Sequence, residues 1–119
     1  MPAVPTEIRL NRAERVLHVA FDDGSAFALP VEYLRVESPS AEVQGHGPDQ
    51  KKIVAGKRNV AVTSIEPVGN YAVRLVFDDR HDTGIYSWDY LRELGREYDR
   101  RWADYLTALD LRGMNRDRG

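Results

Sequence analysis

A histidine beside three carboxylates is the part of this sequence whose residue types could support chemistry. Asp78, Asp79 and Asp82 surround Arg80 and His81 at the tip of a predicted hairpin. Such a group could coordinate a metal ion, because imidazole and carboxylate are both common metal ligands. The carboxylates could instead hold His81 protonated near neutral pH, since nearby negative charge raises the pKa of a histidine. The simplest alternative is an ordinary solvated turn.

A long segment over residues 37–59 holds the second group of candidate residues. His46 lies between two glycines there, and it could either approach a ligand or be an exposed loop residue. Lys51, Lys52, Lys57 and Arg58 make the end of the segment basic. Because the net charge is −2 and no aromatic residues are interleaved with these cations, we expect no nucleic-acid binding.

Several kinds of site are excluded by composition and motif. The chain of 119 residues has no cysteine, which excludes disulfides, thiolate nucleophiles, iron–sulfur ligation and cysteine-based zinc sites. No nucleophile has an adjacent base in the sequence, and no glycine-rich phosphate loop is present, so we expect no catalytic residue. No apolar run reaches the roughly 20 residues of a membrane span and no signal peptide is evident. We therefore expect a soluble, cytoplasmic protein without membrane association.

The elements that must position these residues come from a sequence repeat. Residues 17–35 read LHVAFDDGSAFALPVEYLR, and residues 73–92 read VRLVFDDRHDTGIYSWDYLR. Each copy has an alternating apolar pattern, Phe-Asp-Asp, a second apolar run and Tyr-Leu-Arg, which predicts a β-hairpin followed by a helical turn. The second copy is one residue longer and carries His81 directly after its turn.

An apolar stripe at spacings of three and four residues predicts a C-terminal helix over about residues 88–112. Gly95 interrupts the stripe and could instead end a first short helix. We expect the stripe to pack against the alternating apolar positions of both repeats. The stripe consists of Leu91, Leu94, Tyr98, Trp102, Tyr105, Leu106 and Leu109, and the strand positions are Leu17, Val19, Phe21, Val73, Leu75 and Phe77.

The predicted fold class is α+β. Two repeated small antiparallel β units, with a short helical turn, pack with a long amphipathic C-terminal helix. The repeat units cover about residues 6–36 and 63–92, and the segment over residues 37–59 separates them. A chain of this length forms one domain, over residues 1–119.

Two long motifs carry a resemblance to a known family. Residues 34–46 read LRVESPSAEVQGH, and residues 77–91 read FDDRHDTGIYSWDYL. Over about residues 6–113 the chain resembles a family of bacterial proteins of unknown function related to the N-terminal domain of gamma-butyrobetaine hydroxylase. Arg80 departs from the glycine expected after the paired aspartates, which suggests a different turn.

The resemblance implies a structural zinc site whose ligands have been replaced. In the hydroxylase domain, three cysteines in a C-P-C-x-x-C arrangement and one histidine bind the zinc. The matching positions here are Ser38, Ser40, Val43 and His81. Because one imidazole cannot hold a four-coordinate structural zinc alone, we expect that zinc to be lost. Ser38 and Ser40 are then expected to close the loop by hydrogen bonding.

The leading functional hypothesis is a non-catalytic binding or accessory domain that has a protein partner and no cofactor. It rests on the absence of a nucleophile with an adjacent base and of a cofactor motif, and on the resemblance to an accessory domain. The resemblance does not imply oxygenase activity, because the catalytic iron and 2-oxoglutarate site of the hydroxylase belong to a separate C-terminal domain. No histidine of this chain has the H-x-D spacing of a facial triad either.

The predicted interaction surface combines the central loop with the tip of the second hairpin, and its residues are Glu42, His46, Lys51, Lys52, Asp79 and Asp82. The alternative hypothesis is a zinc- or iron-binding protein, or a component of a metal-dependent enzyme, centred on His81. His46 and an acid such as Glu42 or Asp82 would then complete the ligand set. The resemblance links this alternative to 2-oxoglutarate oxygenases or to iron–sulfur assembly systems.

Overall fold

The two copies of the repeat fold as two three-stranded antiparallel sheets in the computed structural model, which describes residues 3–45 and 51–118. The strands are β1 (Pro5–Asn11), β2 (Val16–Phe21), β3 (Ala26–Pro30), β4 (Val62–Val68), β5 (Ala72–Phe77) and β6 (Gly84–Ser87). The helices are α1 (Val31–Val36), α2 (Ala41–Gln44), α3 (Trp88–Arg96) and α4 (Tyr98–Leu111). The sheet orders are β1-β2-β3 and β4-β5-β6. The predicted α+β fold with repeated β units is confirmed.

The first aspartate of each Asp-Asp pair performs the same structural task in both sheets. The N–H of Asp22 donates to the carbonyl of Val4 at 2.9 Å, and the N–H of Asp78 donates to the carbonyl of Ala61 at 2.9 Å. The carboxylate of Asp22 in turn accepts the N–H of Val4, and that of Asp78 accepts the N–H of Ala61, at 3.1 Å each. These two aspartates therefore connect each hairpin turn to the residue that precedes the edge strand.

Arg80 adopts the backbone conformation for which the first repeat uses glycine. Its φ is +71°, and that of Gly24 at the matching turn position is +88°. The expectation of a different turn is therefore wrong, because Arg80 keeps the left-handed conformation. An L-residue there experiences a close approach of its Cβ to the following carbonyl oxygen.

Replacing Arg80 by glycine is expected to stabilise the protein by up to about 1 kcal/mol, since it relieves this strain. The measurement is the free energy of unfolding in urea. Arg80→Ala serves as the control, because alanine loses the same side-chain atoms but retains the Cβ. A gain that is equal in both variants would show that the backbone is not the cause.

Reciprocal ion pairs join the two repeats. Arg35 of α1 donates from Nε to Oδ2 of Asp79 at 2.9 Å, and Arg92 of α3 pairs with Asp23. The two arginines occupy the same position in the Tyr-Leu-Arg of each copy, and the two aspartates the same position in each turn. Each repeat's helix is therefore anchored to the other repeat's turn.

Two tyrosine hydroxyls make a second reciprocal pair. The hydroxyl of Tyr33 donates to the carbonyl of Leu94 at 2.7 Å, and that of Tyr90 donates to the carbonyl of Glu37 at 2.6 Å. Burial raises the pKa of Tyr90 to about 12, so its hydroxyl remains a donor at neutral pH. The duplication is consequently visible in hydrogen bonds between the halves as well as within each half.

One apolar core is shared by both sheets and by the helices that follow them. The strand positions predicted to be buried are all buried, namely Leu17, Val19, Phe21, Val73, Leu75 and Phe77. Leu91 and Leu94 of α3 join them, together with Tyr33 and Leu34 of α1. The predicted core is confirmed for the strands and for the first half of the apolar stripe.

The second half of the stripe packs elsewhere. Tyr105 and Leu109 of α4 form a small separate cluster with Val36 and residues 53–55. Trp102 is half-buried and contacts both clusters. The expectation that the whole stripe packs against the strands is wrong for this part, because the helical segment divides at Glu97 into α3 and α4.

Gly95 lies one residue before the end of α3, at a very close helix–sheet contact. A Cβ at this position would lie 2.3 Å from Cγ of the Phe27 ring. The glycine therefore permits α3 to approach β3, although glycine weakens a helix interior by about 1 kcal/mol relative to alanine. None of the helices within residues 3–45 and 51–118 is long and apolar enough to cross a membrane.

Candidate functional site

The predicted histidine belongs to a network of hydrogen-bonded polar side chains, of which Ser38 and Ser40 are buried and Glu42 and Thr83 are exposed. Nε2 of His81 lies 2.8 Å from the hydroxyl of Ser38, and Nδ1 lies 3.0 Å from the carboxylate of Glu42. The hydroxyl of Ser40 lies 2.7 Å from that of Thr83. We call Ser38, Ser40, Glu42, His81 and Thr83 the histidine cluster. It joins the segment after the first repeat to the turn of the second repeat.

Local sequence explains how these groups meet. Ser40 is the N-cap of α2, and its hydroxyl accepts the N–H of Glu42 at 3.1 Å, which places Glu42 in the first helical turn. Gly84 provides the space on the opposite side, since a Cβ there would lie 2.7 Å from Oγ of Ser38. The cap and the glycine together bring the two serines against the second hairpin.

Ser38, His81 and Glu42 lie in the order of a hydrolase triad, with the hydroxyl at Nε2 and the acid at Nδ1. Sequence reasoning missed this set, because Ser38 and His81 are 43 residues apart. Ser38 has no exposed surface, however, and His81 is only 3% exposed. A substrate carbonyl could not reach Oγ, which also accepts the N–H of Ser40 at 3.3 Å. The arrangement therefore fits a structural role better than nucleophilic catalysis.

The environment of His81 favours the neutral ring. Burial lowers the pKa of His81, the positive charge of Arg35 acts in the same direction, and Glu42 opposes both. The lowered pKa disfavours the alternative in which the surrounding carboxylates, Glu42 and Asp79 among them, hold the ring protonated. In the neutral ring that fits these contacts, Nδ1–H donates to Glu42 and Nε2 accepts the hydroxyl proton of Ser38.

The free energy of unfolding should fall as pH decreases from about 6.5 through the lowered folded-state pKa of His81, since the unfolded chain binds the proton more readily. Above about pH 6.5 the contribution of His81 is complete.

The pKa of Asp79 is also lowered, and hydrogen bonds from Ser25 lower the pKa of Asp23 to about 2. Carboxylate contributions of this kind are lost only below about pH 4. Urea unfolding between pH 5 and 7 therefore isolates the histidine, and His81→Gln should flatten the slope. An unchanged slope would contradict this assignment.

Asp79, which is predicted to belong to the interaction surface, is half-buried, and two cations hold its carboxylate. Its Oδ2 accepts from Nε of Arg35 at 2.9 Å and from Nζ of Lys57 at 2.6 Å. Burial opposes ionisation, but the hydrogen bonds from Lys57 and Arg35 outweigh it, so the pKa of Asp79 is lowered. Its other oxygen accepts the N–H of His81 at 3.3 Å. Asp79 therefore positions the turn that carries His81.

The remaining carboxylates of the turn do not face the imidazole nitrogens. Asp78 accepts the N–H of Ala61, and the exposed Asp82 lies 3.9 Å from Arg74. Within residues 3–45 and 51–118, no three histidine, aspartate or glutamate side chains are grouped as a metal site. His46, the other predicted ligand, lies outside the described residues.

The positions to which the resemblance assigns zinc ligands are linked by hydrogen bonds, but their chemistry does not fit zinc. Ser38 and His81 are in contact, Ser40 donates its N–H to Ser38, and the buried Val43 donates its N–H to the carbonyl of Ser40 at 3.0 Å. Two neutral hydroxyls and an isopropyl group replace three thiolates, leaving the imidazole as the one good zinc ligand among the four. Hydrogen bonds hold the loop at this place.

The repeat explains where the histidine cluster sits. His81 corresponds to Ser25 of the first repeat. The carbonyl of each accepts the N–H of the phenylalanine that ends the preceding strand, which is Phe77 for His81 and Phe21 for Ser25. By the same alignment, Ser38 corresponds to Gly95, and Gly84 corresponds to Phe27. The close contact of Phe27 with Gly95 thus has a polar counterpart between Gly84 and Ser38. Aligning the two copies beyond Tyr-Leu-Arg shows from the sequence that these positions are equivalent, but the contacts themselves come from the packing of the two halves.

The predicted surface residues Lys51 and Lys52 lie on a groove of about 350 Å³ between residues 51–53 and α4. Lys51 pairs with the buried Glu37, which also lies 3.4 Å from Nη1 of Arg101. The N–H of Lys52 donates to the carbonyl of Val43 at 2.7 Å. The groove is therefore built next to α2, which carries Glu42 of the histidine cluster.

The chain is similar to known proteins over most of its length. Residues 8–92 match the family model for the gamma-butyrobetaine hydroxylase-like N-terminal domain, and no curated protein matches. One protein with an NMR solution structure is 45% identical to this chain, with a TM-score of 0.85, and the match covers 100% of this chain and 94% of that one. A second protein with an NMR solution structure is 46% identical, with a TM-score of 0.84, and the match covers 98% of this chain and 86% of that one. A crystal structure of a DUF971-family protein of unknown function from Acidithiobacillus ferrooxidans is 45% identical, with a TM-score of 0.65, over 76% of this chain and 91% of that one.

Proposed function

Because the chain belongs to the gamma-butyrobetaine hydroxylase-like N-terminal family, we propose that it is a non-catalytic accessory domain that binds a protein partner. The observation that carries the proposal is the burial of Ser38 and His81 within the histidine cluster. Its serine and imidazole are buried and hydrogen-bonded, so they stabilise a surface and have no access to a substrate. A cytoplasmic location belongs to the same proposal.

The surface that this cluster supports is the groove between residues 51–53 and α4. Val43 of α2 accepts a hydrogen bond from Lys52, and the hydroxyl of Tyr105 in α4 donates to the carbonyl of Val54 at 2.6 Å. The segment over residues 51–55 is thereby fixed between α2 and α4. A concave surface held in this way needs little ordering when a partner binds, which favours affinity.

The metal-centred alternative requires ligands beyond those that contact His81. Its near neighbours are one carboxylate, from Glu42, and one hydroxyl, from Ser38. Zinc sites usually have at least three nitrogen, sulfur or carboxylate ligands. His46 would have to complete the set. We therefore favour the binding domain over a zinc- or iron-dependent function.

The test is affinity capture with the full-length chain immobilised, in extracts of the native cell. A partner should be retained by the parent chain and lost with Ala108→Arg, which places a long cation in the groove. Arg9→Glu is the matched control, because Arg9 is exposed on the first sheet and its loss should leave capture unchanged. Far-UV circular dichroism of each variant checks the fold.

Two results would favour the alternatives over the binding domain. A fluorophosphonate probe that labels the parent chain but not Ser38→Ala would indicate a serine hydrolase. Elemental analysis that finds about one zinc or iron per chain, removed by His81→Ala, would indicate a metal protein. Our proposal expects neither labelling nor stoichiometric metal.

A further inference from the structure

We infer that the open edge of β1 pairs with β1 of a second copy of this chain, as two antiparallel strands related by a two-fold axis at Ile8. β1 is an edge strand of the first sheet, since β2 is its one hydrogen-bonded neighbour among the strands of residues 3–45 and 51–118. An open strand edge is a template for pairing with another chain. This surface is separate from the groove between residues 51–53 and α4, because no residue of β1 lines that groove.

The ladder between β1 and β2 leaves the backbone of Ile8 directed at the open edge. On the other side of β2, the N–H of Phe21 donates to the carbonyl of Ser25, which precedes β3. Because hydrogen bonding alternates along an antiparallel strand, His18 bonds towards β1. Its partner there is Arg9, which therefore bonds towards β2. The preceding residue, Ile8, consequently presents its N–H and C=O to the open edge.

The second repeat protects the corresponding edge with a proline. In the first repeat Leu10 lies at the next outward position of β1 and is paired with Leu17. In the second repeat Pro67 takes this place in β4, paired with Val73. Proline has no N–H to offer a further strand and is typical of protected sheet edges. β1 has no proline after Pro5, so the first copy lacks this protection.

The charges of β1 select a second copy as the partner strand. The strand reads PTEIRLN, with Glu7 and Arg9 on either side of Ile8. Antiparallel pairing about Ile8 places Glu7 of each copy opposite Arg9 of the other. These are non-hydrogen-bonded pairs, in which side chains lie closest, and opposite charges there stabilise a sheet. A two-fold axis at either charged residue would instead oppose like charges.

Glu7 and Arg9 are available for pairs between copies. Their side chains are both 58% exposed, and the contact of 3.4 Å between them is a weak surface ion pair. Replacing it by two pairs across the axis therefore costs little. A bulge between Pro5 and Glu7 limits the regular pairing, and one strand pair is a small interface. We therefore expect a weak, reversible dimer.

The experiment is sedimentation equilibrium of the full chain at concentrations up to about 1 mM, where weak association is measurable. We expect a monomer–dimer equilibrium for the parent chain. Glu7→Arg and Arg9→Glu should each weaken dimerisation by about tenfold or more, because each opposes like charges on both sides of the axis. The double variant Glu7→Arg/Arg9→Glu should restore dimerisation, since its charges are exchanged but remain complementary. Far-UV circular dichroism checks the fold of each variant.

A mixture of the two single variants adds an independent measurement. The cations of Glu7→Arg would face the carboxylates of Arg9→Glu, so the mixture should associate more strongly than either variant alone. The inference is overturned by a parent chain that stays monomeric at about 1 mM. Dimerisation that is unchanged in both single variants, or that is not restored in the double variant, would also overturn it. Partner capture through the groove should be the same in all these variants, so failure here is distinct from failure of the proposed function.

Discussion

Asp79→Ala is expected to lower the free energy of unfolding by about 3 kcal/mol, because two largely buried cations lose their shared carboxylate. The side chains of Arg35, Asp79 and Lys57 are 10%, 19% and 21% exposed. Removing one partner of such a pair is costly, since the remaining charges stay in a poorly solvated place. The variant also loses the bond from Asp79 to the N–H of His81. Urea unfolding at pH 7 measures the change.

The repeat supplies a matched control for this experiment. Asp23 occupies the same turn position in the first copy and pairs with Arg92, but these side chains are 31% and 27% exposed. Among residues 3–45 and 51–118, one cation contacts Asp23, whereas two contact Asp79. Asp23→Ala should therefore destabilise the protein much less than Asp79→Ala. Equal losses would contradict the view that burial makes the second turn the critical one.

Phe77→Ala should lower the free energy of unfolding by about 3–5 kcal/mol, since the ring lies in the shared core. Phe77 is 2% exposed and its ring centroid lies 5.8 Å from that of His81. Loss of the ring leaves a cavity that connects the apolar core with the histidine cluster. The measurement is again urea unfolding, supported by the shift in thermal midpoint.

Trp102→Ala provides the comparison for Phe77. From the sequence alone both residues are expected in the core, and both truncations are expected to be equally severe. In the structure Trp102 is half-buried between two clusters, with Arg116 5.2 Å from its ring. Its loss should therefore cost clearly less than that of Phe77. A larger loss for Trp102 would show that the small C-terminal cluster, and not the sheets, dominates stability.

Several parts of the fold were predictable because their causes are local. Alternation at Leu17, Val19 and Phe21 identified a strand and its buried face, and the matching pattern at Val73, Leu75 and Phe77 identified a second. The sequence predicted the division of the C-terminal helical segment only as an alternative, in which Gly95 ends a first short helix. The reason for that glycine is the approach of Phe27 from the first repeat, which no local pattern contains.

The candidate site was predictable in its residues but not in its arrangement. The sequence indicated that His81 and the loop containing Ser38 would be neighbours, and Ser38 does contact His81. It offered Glu42 only as one of two acids, with Asp82, that could lie beside His81, and it did not indicate that Asp79 would turn inward to Arg35. Those choices depend on which side of a turn is buried, and hence on the packing of the other repeat.

The sequence by itself determined the duplicated hairpins, their turns, the buried strand faces and the absence of any thiolate site, because periodicity, turn chemistry and composition act over a few residues. The tertiary structure decided which polar groups meet. Ser38 and His81 are 43 residues apart, and Arg35 and Asp79 are 44 apart, so their contacts exist only once the two halves pack. That packing also lowers the pKa of His81, since burial and the charge of Arg35 outweigh the opposing effects of Glu42 and Asp79.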